Sequence, residues 1–138
     1  MPSFQEPSLK DLDQTTDQLE NLRKKKPDLE EELRPLKRNL TEMRVALSEL
    51  EELRDEHACG NITEDAYFVR RKKLKTDYMQ AREGISENAI GLLLNEVTEP
   101  NEKSRLQRLR DKVSSNKELV LFILNVASTI LKKVSGSP

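Results

Sequence analysis

Apolar residues in the first third of the chain fall on two interleaved series. Leu12, Leu19, Leu33, Leu40 and Leu47 recur at intervals of seven or fourteen, and Leu22, Leu29, Leu36, Met43 and Leu50 run between them. Read as a heptad, the first series occupies a and the second d, with no slip of register from Leu12 to Leu50. Two apolar positions in seven make a narrow seam, which a lone helix cannot bury and which pairs helices. The pattern predicts a coiled-coil helix over 9–57 with these ten residues as its oligomer interface. Residues 1–8 read as a flexible N-terminus, with Ser8 fitting an N-cap ahead of Leu9, Asp11 and Asp13.

Two prolines bear on how that helix runs. Pro27 follows Arg23-Lys24-Lys25-Lys26 and precedes Asp28, Glu30, Glu31 and Glu32. Proline at a first helical position followed by acids is a start signal, which fits one helix ending near Lys25 and another beginning at Pro27. The heptad frame nevertheless holds across Pro27 and Pro35, and a true loop has no reason to keep phase. The expectation is therefore one long path, broken or kinked at Pro27 and bent near Pro35. A partner would hold this region straight, because an interior proline costs roughly 3 kcal/mol.

The e and g positions point to a pairing mode. In a parallel homodimer Lys25 meets Glu30 and Glu32 meets Lys37, both attractive, while Lys26 at an a position disfavours a wide oligomer core. The expected partner is a second copy in a parallel dimer, or other helical subunits. An antiparallel hairpin within the chain is expected only for the distal half of this helix.

Beyond Leu40 the seam widens. Ala46 and Leu53 fall at g, and the stripe Ala46, Leu47, Leu50, Leu53 can face two neighbours. The chain then turns at residues 58–62, where Gly60 suits a left-handed position and Thr63 an N-cap with Glu64 and Asp65 against the dipole. Ile62 and Tyr67 have the spacing of a hydrophobic staple. Tyr67, Leu74, Tyr78, Ala81 and Ile85 mark a second helix, so a helical hairpin is predicted. Gly84-Ile85-Ser86 repeats the signal more weakly, with Ser86 as a cap and Ile90, Leu93, Leu94 and Val97 on one face of a short helix. Thr98-Glu99-Pro100-Asn101 breaks it, Leu106, Leu109 and Val113 mark another, and Ser115 with Glu118 has capping-box spacing ahead of a last helix over 116–134. The fold class is thus all-α: a long coiled-coil stalk whose hairpin folds into a small C-terminal helical bundle over 63–134, with a flexible tail at 135–138.

The last helix is the most hydrophobic part of the chain. Leu119 to Leu124 is unbroken, and Val126, Ala127, Ile130 and Leu131 follow. This run is too short for a transmembrane span, which needs about 20 residues. A buried central helix is the favoured reading. The alternative turns Leu119, Phe122, Ile123, Val126 and Ile130 toward a partner or a membrane, with Lys132 and Lys133 at an acidic bilayer.

Composition supports an elongated helical protein over a compact α/β enzyme: 36% of residues are charged, 4% aromatic, and Trp is absent. The net charge of −1 conceals a gradient, with −5 over 1–57, −1 over 58–100 and +5 over 101–138. Two solvated surfaces explain this more simply than an acidic stalk docking a basic segment, since exposed ion pairs contribute little.

Little in the chain suggests chemistry. Cys59 is the single cysteine, so an intrachain disulfide is excluded. No basic segment followed by an apolar run opens the chain, and Asn39-Leu40-Thr41 and Asn61-Ile62-Thr63 then read as chance matches to the glycosylation pattern. A cytoplasmic protein is expected. His57 and Cys59 are the only His and Cys, too few soft ligands for zinc, and fit a helix-terminal residue and a small buried thiol. With no Gly-rich phosphate loop, HExxH or nucleophile elbow, no catalytic residue, metal or cofactor is expected. The cluster Arg70-Arg71-Lys72-Lys73-Leu74-Lys75 can contact phosphates. Wrapped on a helix its charges point several ways, which ranks nucleic acid below a salt-bridge surface.

The segment from Leu53 to Ile85, with Gly60-Asn61-Ile62-Thr63 ahead of Tyr67 at its turn, resembles two short helical hairpins. One is the SHOCT-like oligomerisation module, and the other is the steadiness box of ESCRT-I subunits. The resemblance covers about a quarter of the chain. It implies assembly through a helical core and carries over no catalytic residue. The expected function is non-enzymatic: self-association, or a structural subunit or adaptor in a larger assembly.

Overall fold

A computed structural model of the chain describes residues 7–85 and 87–134. The tail at 135–138, most of the N-terminal segment and the Ser86 cap lie outside the described residues. Every element among those described is helical: α1 (Leu9–Lys25), a 3-10 turn (Pro27–Leu29), α2 (Glu30–Ala58), α3 (Glu64–Gly84), α4 (Glu87–Asn95), α5 (Pro100–Asp111) and α6 (Asn116–Val134).

Helix α1 opens on a capping box. The Asp11 N–H donates to Ser8 Oγ at 3.0 Å, and the Ser8 N–H donates to Asp11 Oδ2 at 3.2 Å, so two N–H groups that the helix cannot satisfy find acceptors. Its other end corrects the expected long path. Lys26 leaves the helical region, with φ −133° and ψ 80°, and Pro27 begins the 3-10 turn. The chain then reverses, and α2 returns antiparallel along α1. Ion pairs record the direction: Arg23 with Glu30 at 3.7 Å, Lys37 with Glu20, and Arg44 with Asp13 at 2.5 Å. Positions rise along α2 as they fall along α1.

The reversal has a local cause. Pro27 offers no N–H, and the residue before a proline is pushed out of the α region. Glu30, Glu31 and Glu32 then lie in the first turn of α2, where its dipole favours acids. The unbroken heptad frame is compatible with this, because each arm of a hairpin needs a seam of its own and Leu29 fills the turn between them. Pro35, in contrast, lies exposed inside a continuous α2.

The seam is consequently filled within one chain. Leu12, Leu19, Leu22, Leu33, Leu36, Leu40 and Met43 have no exposed surface, Leu29 and Leu47 are buried, and Leu50 is half-buried. The charge pairs expected of a parallel dimer give way to intrachain ones, with Lys37 on Glu20 rather than on Glu32. A dimer through this seam would first have to open the core.

Helices α4 and α6 close that core. Helix α6 lies along α1, where Gln18 Nε2 donates to Ser128 Oγ at 2.9 Å, and α4 lies against α2 and α6. Ile90, Leu93, Leu94 and Val97 join Val120, Ile123, Val126, Ala127 and Ile130 in one apolar cluster with the seam. Because α4 and α6 pack on α1 and α2, residues 63–134 do not close on themselves as a separate bundle. The docking is apolar. The ion pair that ties the end of α1 to α4 is Lys26–Glu96 at 2.7 Å. Its base sits on the acidic third of the chain, opposite in sense to docking by the charge gradient.

Candidate docking surface

Helix α2 has 29 residues, about 43 Å at the α-helical rise, and its distal part extends past α1. There it is joined by α3, which packs along α2 and on little else. The turn between them is built as its sequence requires. Gly60 adopts φ 74°, and the Asn61 N–H donates to Glu56 O at 2.9 Å, taking up a helix-terminal carbonyl. Thr63 Oγ1 accepts from the Ala66 N–H at 3.2 Å and caps α3. The His57 ring stacks on Tyr67 with centroids 3.9 Å apart, and its Nε2 meets Glu64 Oε1 at 2.6 Å. Gly60, Ile62, Thr63 and Tyr67 thus lie at one turn. The expected buried thiol does not form: Cys59 is exposed, because a two-helix tip has no third layer to cover it.

The inner face of α3 carries Leu74, Tyr78 and Ala81, all buried, with Ile85 just beyond. Leu53 and Leu74 are buried in this hairpin but stand outside the main apolar cluster. At its far end α3 comes close to α2. A Cβ at Gly84 would lie 2.7 Å from Asn39 Oδ1, so the glycine permits the approach.

The outer surfaces of the hairpin hold much of the exposed apolar area. Phe68 is 57% exposed, Val69 69%, Val45 49% and Met79 38%. Phe68 and Met79 flank a groove of about 570 Å³ that Arg71, Lys72 and Lys75 also line. A second groove, of about 300 Å³, lies between α2 and α3 and is lined by Glu42, Val45, Glu49 and Asp77. The basic cluster is therefore divided by the helix: three of its bases border the first groove, while Arg70 pairs with Glu56 at 3.7 Å. The expected site residues do not include these grooves. Their trace in the sequence is the doubling of apolar positions, Phe68 beside Tyr67 and Met79 beside Tyr78, one step past the buried face.

The other expected surface is not outward. Phe122, Ile123, Val126 and Ile130 are buried and Leu119 is half-buried, because α1 and α4 cover that side of α6. No described helix is long and apolar enough to cross a membrane. Polar geometry is likewise structural. Glu20 accepts from Arg23 Nε at 2.9 Å and also bonds Lys37; these hydrogen bonds, Arg23 first, hold its carboxyl down at about 2. Lys26 is held charged by its bond to Glu96. No group of three or more His, Cys, Asp or Glu residues that could hold a metal ion occurs among the described residues.

In comparisons with known proteins no family model, characterised protein or solved structure matches this chain.

Proposed function

We propose that this protein is non-enzymatic and works by assembly, associating with itself or serving as a structural subunit or adaptor for other helical chains. The observation that carries the reading is the uneven use of its apolar residues. Those of α1, α4, α6 and the proximal part of α2 go mainly to one closed interior, although Leu92 of α4 and Leu109 of α5 stay 48% and 37% exposed. The distal α2–α3 hairpin buries only its own inner faces and leaves Phe68, Val69, Val45 and Met79 in solvent. Apolar side chains grouped on an outer surface and bordered by charge are the composition of a docking site. In this reading the hairpin takes the part of the stalk, and the α1–α2–α4–α6 packing takes that of the bundle. The resemblance of its turn to helical-hairpin assembly modules points the same way. An exposed lone thiol at Cys59 suits the reducing cytoplasm.

The test is the absolute mass in solution by light scattering, from about 5 µM to about 500 µM, the range of weak to moderate protein association. A mass that climbs above 15.9 kDa with concentration is expected. A constant 15.9 kDa throughout refutes self-association and leaves docking to a different chain as the only form of the proposal.

A further inference from the structure

The two grooves of the hairpin are complementary to each other. One presents Phe68 and Met79 among Arg71, Lys72 and Lys75; the other presents Val45 among Glu42, Glu49 and Asp77. Each has an apolar centre bordered mainly by one sign of charge, with Glu83 the one acid on the basic groove, and the prevailing signs are opposite. Along α3, Phe68 and Met79 are eleven positions apart, about 16 Å at the helical rise, enough for three turns of an opposing helix. Among the described residues, Arg71 and Lys72 on one side and Glu42 and Glu49 on the other form no ion pair within the chain. These four charges are therefore open to an external counter-ion.

We propose that the occupant of the basic groove is the acidic face of α2 from a second copy of this chain, with Val45 against Phe68 and Met79, and Glu42 and Glu49 against Arg71 and Lys72. The proposal rests on the assembly reading above and names its interface. A second copy is favoured over a nucleic acid or an anionic bilayer by the narrowness of the basic strip. Glu83 borders the same groove, and Asp77 lies two residues from both Lys75 and Met79, hence on the far side of α3. A strip one helix wide between acids fits a helix and repels an extended polyanion.

The geometry also fixes the kind of assembly. Residues two apart on a helix lie roughly 200° around it, so the grooves on either side of α3 open in different directions, with Gln80 bordering both. A twofold dimer would have to close both pairs of unlike patches at once, and grooves that open in different directions oppose that. Association is heterologous, head to tail, and adds copies successively rather than stopping at a dimer.

Two double variants test this on the full chain. Phe68→Gln with Lys72→Gln removes the basic groove, and Val45→Gln with Glu49→Gln removes the acidic one. All four positions are exposed, so the melting temperature of each variant is expected to match the parent. Sedimentation velocity should show the parent growing with concentration and each variant alone at least tenfold weaker in association. An equimolar mixture of the two retains one intact acidic and one intact basic groove and should form a 1:1 pair that grows no further. Raising salt to about 1 M, where the screening length falls to about 3 Å, should weaken the pair. Variants that assemble as the parent does would overturn this interface while leaving self-association standing. If parent, variants and mixture all remain at 15.9 kDa, self-association itself fails. Retention of the parent, but not the Lys72 variant, by a single-stranded oligonucleotide or by anionic vesicles, without growth in mass, would replace the second copy by a polyanion.

Discussion

Replacing Leu40 by Ala separates a seam buried within one chain from a seam buried between two. Leu40 has no exposed surface and belongs to the apolar cluster that closes between α1 and α2. Truncation there removes three carbon atoms from a site that the surrounding helices hold open. The loss of transfer energy adds to an incompletely collapsed cavity, and such changes cost 2–5 kcal/mol; about 3 kcal/mol is expected here. With a urea m-value of about 2 kcal/mol/M for a domain of this size, the midpoint should fall by about 1.5 M. The mutation lowers stability on either account, so the discriminating quantity is its concentration dependence. A core within one chain gives parent and variant midpoints that do not move between about 1 and 10 µM, below the range of weak association. A seam shared between copies gains about 1.4 kcal/mol per tenfold rise in concentration, or about 0.7 M in midpoint. Urea titrations followed by circular dichroism at both concentrations decide the matter. A loss below about 1 kcal/mol, or a midpoint that climbs with concentration, refutes burial of the seam inside the monomer.

Three further outcomes are expected. Glu20, held at about 2, favours the folded state fully above its ordinary value near 4.5 and loses that contribution as pH falls toward 2; the stability difference between the parent and Glu20→Gln should stay level at neutral pH and shrink between these limits, as stepwise-pH urea titration would show. Gly60→Val places a β-branched residue at φ 74° and should lower the melting temperature, whereas an unchanged melt would mean that the turn readily adopts another conformation. Gly84→Ala should gain less than Gly91→Ala in α4, because its Cβ would lie 2.7 Å from the Asn39 side-chain amide, which must move aside, whereas the Cβ at Gly91 has open space and should gain up to about 1 kcal/mol; Asn39→Ala should remove the difference, and equal effects at the two glycines with Asn39 in place would contradict this packing of α3 on α2.

Local signals in the sequence translated well because they depend on few atoms. Ser8, Gly60, Thr63 and Ser115 each satisfy a helix terminus through groups within a few residues, and the structure uses them as expected. The last helix likewise spans 116–134, because a capping serine and a continuous apolar run leave little choice. What the heptads could not convey is the identity of the partner helix. Leu12 to Leu50 require an opposing seam, and the pattern is the same whether that seam lies on another copy or on the next helix. Pro27 carried the missing information, but its weight against the preserved phase depends on tertiary contacts. The two grooves of the hairpin were obscured for a related reason. Phe68 and Met79 sit one residue from Tyr67 and Tyr78, so in a linear pattern they merge with the buried face.

The choice between the two seam partners has a physical asymmetry that favours the hairpin. Four residues, Lys26 to Leu29, connect the end of α1 to the start of α2. A short connection holds its two ends at an effective concentration in the millimolar range, whereas a second copy at micromolar concentration is about a thousandfold more dilute. At 1.4 kcal/mol per factor of ten, the internal partner starts with an advantage of about 4 kcal/mol before any contact is compared. A continuous helix through Pro27 would forfeit that advantage and also bear the roughly 3 kcal/mol cost of an interior proline. Only a stiff, strongly helical connection could reverse the balance, and Lys26-Pro27-Asp28 is the opposite of one. The same asymmetry bears on the proposal that assembly uses the α2–α3 hairpin. The seam residues have found their partner within the chain, while Val45 and Phe68 stay about half exposed and Met79, beside the Asn116 amide of α6, stays partly so, which leaves this surface open to a second molecule.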